Sequence, residues 1–148
     1  MRKLLFLIIP IFIINSCGIL KSNKNGNNEE GITIPKKETL IGVKWMWKES
    51  NLTNKKITPT KHKSFILFKK DDKLMLSSDC NKGSAFYKLK SNIIEISPVM
   101  STKMFCGNES TEKEYFNELK QAHDLFIKDN ELHIALKDSI GEMIFTKE

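Results

Sequence analysis

Six side chains are the first places to look for chemistry: Cys17, Cys80, Cys106, His62, His123 and His133 are the only cysteines and histidines of the chain. An imidazole metal site in one element needs H-x-H or H-x-x-x-H spacing, which puts two ring nitrogens on one face of a strand or helix. None of the three histidines has it. His62 sits in a basic Lys-His-Lys loop, His123 near the end of a helical stretch, and His133 inside an apolar strand. In a last helical turn, His123 has a sufficient use as a partner for the helix dipole. No Gly-x-Ser-x-Gly turn presents a nucleophile, and no glycine-rich phosphate loop occurs. The acidic groups Asp71-Asp72 and Glu109 to Glu114 fall at a hairpin tip and a helix start, where carboxylates are stabilising anyway. The expectation is a protein that is not an enzyme, with no catalytic residues, no metal site and no cofactor.

The cysteines are more informative. Arg2 and Lys3 precede an unbroken apolar run of 11 residues, Leu4 to Ile14, which is followed by Asn15-Ser16-Cys17. The run is too short for a membrane span, which takes about 20 residues, and fits the apolar stretch of a secretory signal. Ile14, Ser16 and Cys17 resemble a lipobox, the site where bacterial signal peptidase cuts ahead of a lipid-modified cysteine; Asn15 is its one unusual position. Residues 1–16 then read as a lipoprotein signal peptide and Cys17 as the lipidation site. Each buried acyl CH₂ contributes roughly 0.8 kcal/mol, so two or three chains (palmitate among them) hold a protein firmly without a transmembrane helix. The sequence predicts a lipid-anchored protein of the bacterial cell envelope. Gly18 and Ile19 follow the cysteine, so no Asp argues for inner-membrane retention, and the outer membrane is slightly favoured. With Cys17 taken, Cys80 and Cys106 remain as an even pair in a compartment that permits disulfides. A structural disulfide is the favoured reading. Reduced, packed thiols and a redox or metal role are the alternatives, the last weakened by the lack of C-x-x-C spacing.

Charge excludes little else. The chain has 24 basic and 18 acidic side chains, and losing Arg2 and Lys3 with the signal leaves a net charge of +4. Lys far outnumbers Arg and no long basic run occurs, so nucleic acid is not expected as a partner. Residues 17–39, rich in Asn, Lys and Gly, have no apolar periodicity and read as a flexible tether. From Leu40 the pattern becomes that of strands. Val43, Trp45 and Trp47 share one face; Phe65 to Phe68 are apolar on both; a short edge piece is expected near Ile57. Residues 74–77, 85–90, 93–97, 124–128, 131–136 and 142–145 complete the set. Ser91-Asn92 reads as a two-residue turn in which Asn tolerates positive φ. One helix is expected after Thr111, with Thr111 and Glu114 forming a capping box and Tyr115, Phe116, Leu119 and Ala122 its apolar face. The predicted fold is α+β and mostly antiparallel β: a curved or partly closed sheet with one helix packed on it.

Asp79-Cys80-Asn81, then Ala85-x-Tyr87, then Thr102-x-Met104-x-Cys106, an acidic helix start and terminal strands ending near Phe145 resemble the META domain family. The family includes the HslJ-like heat-inducible bacterial proteins. The resemblance runs from Leu40 to residue 148 and includes Trp45. Where the family pattern has glycines, this chain has Asp79 and Ala85, which leaves Gly83 to supply a positive φ. The resemblance implies structural roles for Asn81, Tyr87, Thr102 and Met104 and a link to stress response, and it carries over no catalytic residue. Two functions are then expected. The first is a non-enzymatic envelope lipoprotein that binds a protein partner and shows an apolar surface patch. The second is a small-ligand or metal-binding module whose concave sheet face includes Trp45 and Trp47. Neither expectation specifies an oligomeric state.

Overall fold

The period-two alternation of apolar and polar residues marks where the strands lie. The computed structural model describes residues 31–60 and 64–148. The signal peptide, Cys17, most of the tether and His62 lie outside the described residues. The strands are β1 (Lys44–Leu52), β2 (Lys56–Ile57), β3 (Phe65–Phe68), β4 (Lys73–Ser77), β5 (Lys82–Lys90), β6 (Ile93–Ile96), β7 (Met100–Ser101), β8 (Ala122–Lys128), β9 (Glu131–Leu136) and β10 (Gly141–Lys147). Two helices, α1 (Lys37–Leu40) and α2 (Glu112–Leu119), accompany them.

Successive strands pair antiparallel from β3 through β6, then β8 through β10, while β1 lies beside β3 and β6 beside β8. The ring is completed by β10 pairing back with β1, from Trp45↔Lys147 to Leu52↔Gly141. The sheet expected to be curved or partly closed is therefore a closed barrel. Closure leaves only the short β2 and β7 as added strands, on β1 and β5. It also removes the exposed edges that an open sheet would have to protect.

Two bulges keep the interior apolar. In β1 the register slips between Trp47 and Glu49, so Trp45, Trp47 and Ser50 point inward while Glu49 turns out to Lys56. In β8 the same slip between Ala122 and Asp124 keeps Ala122 and Leu125 inside. An extra residue in one strand shifts the parity of all that follow. The interior is filled by Trp45, Trp47, Ile66, Phe68, Leu74, Tyr87, Ile94, Leu125, Ile134, Met143 and Phe145. Phe65 and Leu67 face outward and are half-buried, with the Lys44 ammonium 4.8 Å from the Phe65 ring.

Helix α2 closes one end of this barrel. Its Tyr115, Phe116 and Leu119 join the barrel core, with the Tyr115 ring 5.1 Å from Trp47. The helix is shorter than its periodicity suggested. It ends at Leu119, so Ala122 and His123 belong to β8, and His123 pairs with Asp124 at 3.0 Å instead of capping a helix. The expected capping box is absent too: Thr111 makes no side-chain cap hydrogen bond, and its buried hydroxyl has no partner. In the β5–β6 turn Ser91, not Asn92, takes the positive φ (57°), and Asn92 donates to Asp124 at 2.8 Å.

At the other end, residues ahead of Leu40 pack on the barrel. Thr33 exchanges two backbone hydrogen bonds with Ile127, on the flank of β8 beyond its single pairing with β6, and Leu40 at the end of α1 is fully buried. The folded unit thus includes residues placed in the tether by composition alone.

Gly141, at the start of β10, is where the closing seam is tightest. Its φ is +145°, and a Cβ there would lie 2.3 Å from the Asn51 carbonyl oxygen and 2.7 Å from Leu52 Cα. Both contacts are backbone and cannot rotate away. Gly141→Ala is expected to cost about 3 kcal/mol or more, from overpacking and backbone strain together. The check is a lowered urea midpoint; an unchanged midpoint would mean the seam is not rigid.

Candidate functional site

Three chain segments meet beside α2: the β4–β5 corner, the loop after β7 and the helix N-terminus. Asn81 joins them. It is 1 % exposed, and every polar atom of its side chain is used. Its Oδ1 accepts from the Thr102 hydroxyl at 2.6 Å and the Met104 N–H at 2.9 Å. Its Nδ2 donates to Glu112 Oε1 at 2.9 Å and to the Met104 carbonyl at 3.2 Å. The Asn81 backbone N–H reaches Glu112 Oε2 at 3.0 Å and the Ser78 hydroxyl oxygen at 2.8 Å, and that hydroxyl in turn donates to Glu112 Oε2. An amide, carrying both donors and acceptors, is the side chain that can satisfy such a set.

Cys80 and Cys106 are joined by a disulfide across this hub, with Cα atoms 5.6 Å apart. Of the expected readings for the pair, the disulfide is the one present. Asp79, where the family pattern has glycine, has a local use: its carboxylate accepts from the Ser110 hydroxyl at 2.9 Å and the Thr111 N–H at 3.2 Å. A carboxylate at a helix N-terminus satisfies orphan donors and meets the positive end of the dipole. Asp79 and Ser110, which accepts from the Glu112 N–H at 3.2 Å, do the capping expected of Thr111 and Glu114.

The sequence-derived site residues therefore separate. Asn81, Thr102, Met104 and the two cysteines come together; Tyr87 does not. Tyr87 is buried in the barrel, edge-on to Phe68 with centroids 5.0 Å apart, and its hydroxyl donates to the Lys69 carbonyl. Gly83 does not supply a positive φ; it lies in β5, where a Cβ would meet the Met100 carbonyl oxygen at 3.0 Å. Its missing side chain lets β7 approach. Trp45 and Trp47 are 1 % and 2 % exposed, and their face is filled by core side chains. Sequence reading missed Ser78, Glu112 and the capping role of Asp79. Only the acidic start of the helix hinted at Glu112.

Next to the disulfide lies an open cavity of about 530 Å³, lined by Thr60, Asp79, Cys80, Phe105, Cys106 and Glu109 among others. Its rim carries the most exposed large apolar side chain described, Phe105 at 93 %. Met104 and Met100 are nearby in sequence, both well exposed. His123 and His133 stay apart, His133 being held on the outer face by Glu142 at 3.0 Å and stacked on Phe126.

A family model for the META domain matches residues 38–148. The chain belongs to the META domain family. No curated protein matches it at a significant level. Among solved structures, the META chain is similar to a protein from Burkholderia xenovorans determined by NMR, with a TM-score of 0.65 and 14% identity over 78% of this chain and 90% of that one. A DUF4847 family protein from Bacteroides vulgatus, solved by crystallography, has a TM-score of 0.57 and 15% identity, covering 74% of this chain and 95% of that one. At such identities the likeness is one of fold.

A second polar set sits where α2 meets β1. Trp47 Nε1 donates to Ser50 Oγ at 3.0 Å, and Ser50 donates to the Glu118 carboxylate. Burial raises the Glu118 pKa above its ordinary value, and the Ser50 hydrogen bond opposes the shift. A carboxyl whose pKa is raised on folding binds its proton more tightly in the folded state. Its contribution is therefore complete below the unfolded pKa and is lost as pH rises through the folded one. Glu118→Gln is expected to flatten the fall in stability as pH rises above the ordinary glutamate range. Urea midpoints across that rise test it; a variant with the same slope as the parent would exclude Glu118 as the cause.

Proposed function

We propose that this META domain protein is a non-enzymatic lipoprotein of the bacterial envelope, anchored through Cys17 and acting by binding a protein partner, in a stress-related role. The observation that carries the reading is Phe105. It is 93 % exposed, yet the loop that presents it is tied down by the disulfide on one side and by Asn81 at Met104 on the other. Apolar side chains held outward on a braced loop lose little entropy on binding and suit the desolvated centre of an interface. Apart from the Thr111 hydroxyl, the polar groups beneath the loop are satisfied by one another, which favours a binding over a catalytic role.

The direction of the tether agrees. Thr33 joins β8 at Ile127, five residues from the end where α2 leads into Ala122, on the order of 17 Å along the strand. A chain anchored through residue 17 would then present the Phe105 end away from its attachment. No helix among the described residues is long and apolar enough to cross a membrane.

The experiment is photocrosslinking in intact cells with a photoreactive side chain at the exposed position 103 of the same loop, in the parent and in Phe105→Ser. Loss of a discrete crosslinked or co-purified envelope protein in Phe105→Ser, with stability within about 0.5 kcal/mol of the parent, is expected. Retention of the partner would remove the loop from the interface. The second reading, a small-ligand module, is favoured only by the cavity beside the disulfide, and moves the ligand there from the tryptophan face.

A further inference from the structure

We propose that the reduced protein binds a zinc ion between Cys80, Cys106 and Glu112. The two sulfurs and a Glu112 carboxylate oxygen lie within 4.8 Å of one another, the one such cluster of potential ligands among the described residues. Their spacing in sequence, with Cys106 26 positions after Cys80 and Glu112 six positions further on, matches no short metal motif. The barrel and its helix bring them together.

A disulfide offers no thiolate, so the site exists only after reduction. A dithiol reductant supplies two electrons and two protons and closes to its own disulfide, while the Cys80–Cys106 bond opens to two thiols. Zn²⁺ then displaces both thiol protons and forms two metal–sulfur bonds of about 2.3 Å and one metal–carboxylate bond of about 2.0–2.2 Å. The thiols stay close because their backbones are held without the S–S bond. Ser78 Oγ accepts from the Cys80 N–H at 3.1 Å, and Asn81 grips Met104, two residues before Cys106, at both its N–H and its carbonyl.

Glu112 is oriented as a single-oxygen ligand. Its Oε2 already accepts from the Asn81 N–H and the Ser78 hydroxyl, whereas Oε1 accepts only from Asn81 Nδ2 and keeps a lone pair. Carboxylates that bind metal are commonly held through such outer hydrogen bonds. Asn81 Nδ2 also lies 3.1 Å from Cys106 Sγ and 3.5 Å from Cys80 Sγ, so the same amide favours the charged thiolates. Both cysteines line the open cavity, which gives the ion an entry path and a water its fourth position. Two thiolates with one carboxylate suit zinc better than the hard cations calcium or magnesium. Oxidation and zinc then compete for the same two sulfurs, which makes occupancy a readout of envelope redox state.

The test uses the full chain in detergent, reduced with dithiothreitol and desalted under nitrogen, with Co²⁺ as the spectroscopic probe and far-ultraviolet circular dichroism recorded alongside. One equivalent of Co²⁺ with a sulfur-to-cobalt charge-transfer band, displaced by Zn²⁺ and absent from the oxidised protein, is expected. Glu112→Gln should weaken binding by at least about tenfold, and Cys80→Ser should abolish it, while Cys17→Ser should bind as the parent does. Equal binding by the oxidised protein, an unaffected Glu112→Gln, or no band in a folded reduced chain each overturns the proposal. So does a reduced chain that is unfolded and does not refold on adding Zn²⁺.

Discussion

Leucine at position 81 is expected to destabilise the domain by about 3–5 kcal/mol, the size of effect seen when a buried hydrogen-bonded network loses its centre. Leucine matches asparagine roughly in size but offers no hydrogen bond. The Thr102 hydroxyl, the Met104 N–H and carbonyl and Glu112 Oε1 would all lose a partner at a residue that is 1 % exposed. Each buried group left unsatisfied costs about 1–3 kcal/mol. Asn81→Asp separates hydrogen bonding from volume. It keeps the acceptor for Thr102 and Met104, removes the Nδ2 donors and sets a second carboxylate against Glu112. It should be nearly as damaging as leucine. Urea denaturation gives the measurement, and a loss under 1 kcal/mol for either variant would mean that these bonds are readily replaced by water.

Removing the disulfide comes second. With a sequence separation of 26 between the cysteines, the chain-entropy relation gives about 3.5 kcal/mol, from a freer unfolded state. For a domain of this size that is a fall in Tm of about 15 °C. The value applies to Cys106→Ser, or to the reduced protein with a chelator present, because zinc bound to free thiols would restore part of it. A domain with ordinary stability of about 5–15 kcal/mol survives such a loss in most of its range, which is the condition the zinc experiment needs. A change below about 1 kcal/mol would contradict the entropic account. Combined with Asn81→Leu, the effects should be less than additive, since both release the segment around Met104 and Cys106.

Local pattern was enough for most elements. Alternation at Trp45 and Trp47, the apolar run Phe65 to Phe68 and the terminal pair of strands were legible because burial on one face of a strand leaves a period-two trace. The helix was legible from Tyr115, Phe116 and Leu119, but its end was not. Ala122 is apolar at helical spacing and also apolar at strand spacing, and only its pairing with Leu136 assigns it to β8. The capping box failed for a similar reason: Thr111 has the right type and position, while a carboxylate 32 residues away takes its N–H first.

The candidate site divides the same way. The sequence by itself determined which residues are involved in part, through Cys80, Asn81, Thr102, Met104 and Cys106 in their order, together with the META family and the strand count to within one short addition, β7. Tertiary structure alone decided that the sheet closes, because the pairing of Trp45 with Lys147 joins residues too far apart to leave a local signature. It alone decided that Glu112 and Ser78 meet at Asn81, that Asp79 caps the helix, and that Phe105 faces solvent. Side chains within a turn or strand sense their neighbours through backbone period and propensity. Hydrogen bonds and sulfur pairs between distant segments depend on where the barrel brings those segments, which the period of any one segment does not encode.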